Sequence, residues 1–158
     1  MADRRGHGQF ESALPAASVT TVRPAPPSIE ELQRVLDHDL PFTRSYSFEV
    51  KEGADGACTI AVPFLPLFER PGGILSGQVF ITAADVALWL AIKTIRGIDD
   101  PSVTAQMETT FLQPARAAFV CRAVVLDIAS RRAFGIAECR SQDGSLLAHH
   151  SMTYIRPA

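Results

Sequence analysis

Polar side chains nearly vanish between Val79 and Ile92, where the chain reads Val79-Phe-Ile-Thr-Ala-Ala-Asp-Val-Ala-Leu-Trp-Leu-Ala-Ile92. At helical spacing this run is apolar on almost every side, and a helix apolar all round is a buried one. The pattern predicts a helix from about Gly77 to Arg96. Ser76 suits its N-cap, Lys93 and Arg96 suit its negative C-terminal end, and Gly97 suits the position just beyond.

Elsewhere the period drops to two. Phe42, Tyr46, Phe48 and Val50 share one face of a segment whose other face carries Thr43, Ser45, Ser47 and Glu49. Cys58, Ile60, Val62 and Phe64 share a face of the next segment, and the Asp55-Gly56 turn signal makes the two a hairpin. Pro63 and Pro66 put its far end at an edge or outside the sheet. Beyond the apolar helix come four strand-like segments, about 103–112, 118–126, 133–140 and 146–155. The links between them are short, and short links favour antiparallel neighbours.

Upstream of the hairpin, Ser28 reads as the cap of a helix with Glu30 and Glu31 in its first turn. Leu32, Val35 and Leu36 form its apolar stripe, and it should end near Asp39, before Pro41. Residues 1–27 lack periodicity and include Arg23-Pro-Ala-Pro-Pro27; they are expected to form a disordered or loosely attached arm. One domain over 28–158 remains. Its expected fold class is α+β: a long central helix packed on a curved antiparallel sheet of five to six strands.

Composition narrows the function classes. A length of 158 residues with 47% hydrophobic residues fits one domain with a real core. The net charge of -2 gives no reason to expect a nucleic acid or an anionic membrane as partner. Cys58, Cys121 and Cys139 are far apart and lack metal-ligand spacing, so they read as small core residues in a reducing compartment. The apolar run 79–92 is too short to span a bilayer, and the N-terminus has no continuous apolar signal core. A soluble cytoplasmic protein is the expectation. His149 and His150 face opposite ways on a strand and have no Cys or carboxylate at ligand spacing, so no metal site is expected. The chain lacks the G-x-S-x-G, Walker, dinucleotide-binding and H-E-x-x-H motifs.

Asp85 is the candidate for chemistry. A carboxylate inside an apolar helix must be paired, hydrogen-bonded or used, because burying a lone charge is expensive. Capping by the backbone or by Thr82 is the plain alternative. Gly72, Gly73 and Gly77 precede it in the turn Arg70-Pro-Gly-Gly-Ile-Leu-Ser-Gly-Gln78. Ser76-Gly77-Gln78 is either an ordinary helix start or, with its unpaired first-turn N–H groups, a donor set for a polarised carbonyl. Gly77 lies eight residues before Asp85, which puts the two on related helix faces. Trp89, four residues after Asp85, is a core residue or the floor of an acyl pocket. Arg131 and Arg132 are a solvated turn or a phosphate contact.

The Gly-rich turn, the Ala83-Ala84-Asp85 step, the Phe111-Leu112-Gln113-Pro114 strand end and the closing run of strands resemble one family. It is the hotdog-fold acyl-CoA thioesterases, in their phenylacetate-pathway-type branch, over about residues 40–156. The resemblance implies that Asp85 activates water or attacks the thioester, while the Gly77 N–H polarises the carbonyl. It also implies a site built across a homodimer or a dimer-of-dimers tetramer, with Arg131 and Arg132 on the phosphates of coenzyme A. Coenzyme A enters as part of the substrate, and no separate cofactor is implied. Two positions depart from the branch: Ser76-Gly77-Gln78 stands for His-Gly-Gly, and Arg70 stands for an Asn. Arg70, Ser76, Gln78 and Trp89 are therefore counted among the substrate-binding candidates, with Gln78 or Ser76 open to the role of the Asn.

Three readings compete: hydrolysis of an acyl or aryl-acyl thioester, a non-catalytic acyl-CoA binding or sensing module, and a hydratase. The position of Asp85 favours the first over the second. The third needs a His close to Asp85, and none is near in sequence.

Overall fold

The computed structural model describes residues 25–158, so nearly all of the expected N-terminal arm lies outside the described residues. Ser28 starts helix α1 (Ile29–Asp39) with a reciprocal capping box. The Glu31 N–H donates to Ser28 Oγ at 3.2 Å, and the Ser28 N–H donates to the Glu31 carboxylate at 2.8 Å. Leu32 and Leu36 are buried. Gln33 ties the helix to the sheet: its Nε2 donates to Phe48 O at 3.2 Å, and its Oε1 accepts from the Val50 N–H at 2.8 Å.

The segment expected to be extended from Phe42 is not. Pro41–Tyr46 is a 3-10 turn, and strand β1 begins only at Glu49 (Glu49–Ala54). Pro41 opens the turn, the Thr43 hydroxyl donates back to Leu40 O at 2.7 Å, and Ser47 closes it at φ 53°. Local side-chain bonding of this kind competes with strand geometry. Tyr46 and Phe48 share a face as expected, but by stacking at 5.1 Å beside the sheet.

The expected hairpin is present, joining β1 to β2 (Ala57–Val62) through Asp55 at φ 48° and Gly56 at φ 80°. The chain then leaves the sheet at Pro63 and makes a short 3-10 turn (Pro66–Phe68). A two-residue ribbon follows, β3 (Glu69–Arg70) with β4 (Ile74–Leu75), which the sequence pattern did not indicate. Helix α2 (Gly77–Arg96) has the expected limits, from Ser76 as N-cap to Gly97 at φ 101°. The last four strands are β5 (Val103–Phe111), β6 (Phe119–Ile128), β7 (Arg132–Ser141) and β8 (Leu146–Ile155).

The main sheet has six strands in the order β1-β2-β6-β7-β8-β5, every neighbouring pair antiparallel. Helix α2 lies on one face, over the inward side chains Ile60, Cys121, Ala137, Ala148 and Met152. Leu88, Leu90 and Ile92 are fully buried between them; each such side chain contributes roughly 1.5–3 kcal/mol. The helix comes close to the sheet at Gly135, where an added Cβ would stand 2.5 Å from Leu88 Cδ1 and 2.6 Å from Val124 O. At 20 residues α2 is long and apolar enough to cross a bilayer, but 67% of its apolar window is buried inside the chain.

Candidate active site

The Gly-rich turn is held from outside. The Arg116 guanidinium donates to Gly72 O at 2.6 Å, and the Leu75 N–H donates to Ala115 O at 3.0 Å. These bonds aim the chain into Ser76 and the start of α2. There Ser76 accepts from the Val79 N–H through its carbonyl, at 3.1 Å, and from the Gln78 N–H through its Oγ, at a long 3.4 Å. The Gly77 N–H has no acceptor among the described residues. It is one of the donors that a helix start leaves free.

Gly77 is also a place of close approach. A Cβ there would meet Phe111 Cζ at 3.1 Å. Phe111 packs edge-on against Phe80 at 5.9 Å, and Phe80 stacks on Phe119 at 4.7 Å. Beside this aromatic group lies a cavity of about 400 Å³ lined by Arg70, Leu75, Gly77, Phe80, Phe111 and Pro114, among others. It pairs an apolar wall with one exposed guanidinium, that of Arg70, and one free N–H.

Asp85 is half-buried further along α2. Thr104 Oγ1 on β5 donates to its Oδ1 at 2.6 Å. The Tyr154 hydroxyl on β8 shares its single proton between the same Oδ1, at 2.5 Å, and the Asp85 carbonyl, at 2.8 Å. Burial first, then the negative Asp85 beside it, push the Tyr154 hydroxyl well above the usual tyrosine range, which keeps it a donor. Thr82 plays no part in this: its hydroxyl donates to Gln78 O at 2.9 Å. The sequence reading missed Thr104 and Tyr154. Tyr154 shares an inward face with Ala148, His150 and Met152, and a tyrosine on a buried face needs a polar partner.

The candidates do not converge within one chain. Eight residues of helix separate Gly77 from Asp85, roughly 12 Å of rise. Related faces therefore do not make them neighbours, and the expected closeness is corrected. Trp89 is half-buried beneath Lys93, whose Nζ sits 4.4 Å from the ring centroid. That ammonium in turn donates to Ile98 O at 2.6 Å and Asp100 O at 3.1 Å. Gln78 is exposed.

Arg131 and Arg132 lie at the other end of α2, where Arg96 Nη2 donates to Arg132 O at 2.9 Å. Arg132 is paired with Asp127 at 3.0 Å, whereas Arg131 makes only a 3.4 Å contact to Arg156 O. His150 is fully buried and bonded to Thr109 at 2.9 Å. Thr109 is five residues along β5 from Thr104, roughly 16 Å, so His150 does not reach Asp85 within one chain. Among the described residues no group of three His, Cys, Asp or Glu is placed to hold a metal ion.

Residues 72–148 match the family model of the thioesterase superfamily. This stretch is a thioesterase-superfamily domain. Its fold is the hotdog. The phenylacetic acid degradation protein PaaI of Thermus thermophilus, solved as a mutant, is 27% identical, with a TM-score of 0.66 over 74% of this chain and 99% of that one. The PaaI protein of E. coli superimposes with a TM-score of 0.71 at 12% identity, covering 82% of this chain and 96% of that one. Thioesterase superfamily member 2 of zebra fish gives 0.71 at 22% identity, over 82% and 95%. No curated protein gives a significant match.

Proposed function

We propose that the protein hydrolyses an acyl-CoA or aryl-acyl-CoA thioester at a site shared between two copies of the chain. The observation that carries this reading is a pair of contacts at opposite ends of β5. Phe111, at one end, packs on Gly77; Thr104, at the other, binds Asp85. Strand β5 stands at the edge of the sheet and is paired on one side only, to β8. Long unpaired edges invite pairing. Antiparallel pairing of two β5 edges, about a two-fold axis near Met107 and Glu108, sets the Phe111 end of one strand beside the Thr104 end of the other. One chain's free Gly77 N–H then approaches its partner's Asp85.

In this site the thioester carbonyl oxygen accepts from the Gly77 N–H. Asp85 takes a proton from water as the water oxygen bonds to the carbonyl carbon. The C–S bond then breaks, and the proton passes to the departing thiolate. A base working through water suits a carboxylate pinned by two short hydrogen bonds, whereas covalent attack would require it to advance and break them. The aromatic cavity by Gly77 receives the acyl group, and Arg131 meets coenzyme A phosphates. Roughly 16 Å of helix separates Asp85 from Arg96, beside that turn. The extended pantetheine arm bridges such a gap.

The test is a hydrolysis screen over short, medium, long and aryl acyl-CoAs with a free-thiol readout, alongside light scattering. Turnover of at least one class by a dimer or larger assembly is the expected result. Tight binding without turnover would favour a sensing module, and an active monomer would remove the shared site.

A further inference from the structure

We propose that Tyr154, assisted by Thr104, is a positioning residue that commits one oxygen of Asp85 to the fold and leaves the other, Oδ2, to work. The inference rests on the hydrolytic reading above and adds which oxygen reacts and what holds it.

The hydrogen bonds at Asp85 are lopsided. Both side-chain donors converge on Oδ1, Thr104 at 2.6 Å and Tyr154 at 2.5 Å. Oδ2 receives no donor among the described residues, yet it is not among the buried atoms lacking a partner. It is therefore not fully buried. A carboxylate with both oxygens free turns about its χ2 bond and presents either. Here Tyr154 holds the main-chain oxygen and Oδ1 of the same residue at once, at 2.8 Å and 2.5 Å, which fixes the plane of the carboxylate. Thr104 reaches the same oxygen from a different strand. The clamp thus joins α2 to the two neighbouring strands β5 and β8.

Tyr154 is suited to the task. It is 1% exposed, so its ring is held by packing and its hydroxyl has little water to compete for. Its raised ionisation range keeps the hydroxyl proton in place at any working pH. Positioning matters because misplacement of a catalytic group by about 1 Å can cost about a hundredfold.

The experiment is a double-mutant cycle on the full chain, with oligomeric state and circular dichroism checked for each variant. Tyr154→Phe keeps the ring and removes the hydroxyl. The expected result is a kcat lowered by about tenfold to a hundredfold with KM nearly unchanged. In the Asp85→Asn background the same change should cost almost nothing more, because there is no base left to position. Thr104 is exposed and offers a second arm: Thr104→Ser should retain activity, and Thr104→Val should lower kcat. If Tyr154→Phe lowers kcat equally in both backgrounds, the tyrosine serves packing alone and the inference is overturned. If Tyr154→Phe and Thr104→Val are both neutral while Asp85→Asn is inactive, the hydrolytic reading stands and the clamp falls. A fully active Asp85→Asn would take Asp85 out of the reaction, and the clamp would fall with it.

Discussion

Gly77 touches Phe111 at one end of β5, and Asp85 accepts from Thr104 at the other. In the proposed mechanism, the two groups that act on one thioester stand apart within a chain and meet only between chains. Complementation tests this. Asp85→Asn and Gly77→Pro chains, each inactive alone, are unfolded together and refolded. Random pairing makes half the dimers mixed, and each mixed dimer carries one intact site and one doubly defective site. Activity should return to about a quarter of wild type. If the mixture stays inactive while mixed dimers are shown to form, both groups act within one chain.

The Gly77→Pro variant is informative in its own right. Proline is favoured at the first position of a helix, and it removes the N–H in question. Ser76, at ψ 143°, already has the backbone that a following proline requires. Phe111 must yield by a few tenths of an ångström. The fold should survive while kcat falls by about a hundredfold, the worth of one donor to a developing oxyanion. Asp85→Asn should cost about a hundredfold or more. Steady-state kinetics on the best acyl-CoA, with melting curves, would check both. A folded variant of either kind at near wild-type rate would show that its group is structural.

Arg131 and Arg132 should separate. Arg132 is committed to Asp127, and Arg131 is not paired with any carboxylate among the described residues. Arg131→Ala should raise KM for acyl-CoA severalfold and leave a short acyl thioester without the nucleotide unaffected. Arg132→Ala should do less. Equal effects on the two substrates would mean that neither guanidinium meets a phosphate.

His150 should make the fold acid-sensitive. Burial, with a smaller contribution from the neighbouring His149, holds its ring down to about 4 from the usual 6.5. Above about pH 6.5 both folded and unfolded chains are neutral at this position, so it adds no pH dependence. Between about 6.5 and 4 the unfolded chain binds a proton that the folded chain refuses, so stability falls as pH falls. Urea unfolding at pH 7 and pH 5 should show the loss, and His150→Gln should reduce the difference. An unchanged difference would assign the acid sensitivity to other groups.

Some of this was legible in the sequence for physical reasons. The apolar run, Ser76 and Gly97 each report locally on α2, and its limits followed from them. The hairpin at Asp55-Gly56 was equally local. Phe42–Phe48 misled because its alternation is only apparent: in the 3-10 turn Phe42 is exposed and Thr43, expected on the opposite face, is buried. Asp85 was visible as an anomaly, but its partners were not. Thr104 and Tyr154 stand 19 and 69 residues away, and only the β5–β8 pairing brings them together. The spacing of Gly77 and Asp85 was read as an angle around the helix, whereas its rise along the axis decides what a single chain can do.

The missing side chain at Gly135 acts as a gauge. It sets how far α2 stands off the sheet, since Leu88 and Val124 O already occupy the space a methyl group would need. Asp85 rides on the helix, and its clamp rides on the strands beneath. A single carbon at position 135 would lift one against the other, detuning the carboxylate without altering any group that meets substrate. Gly135→Ala should therefore resemble Tyr154→Phe in its kinetics, with a lower melting temperature besides. If so, the rate of this protein is adjustable from the far side of its helix, through thickness alone.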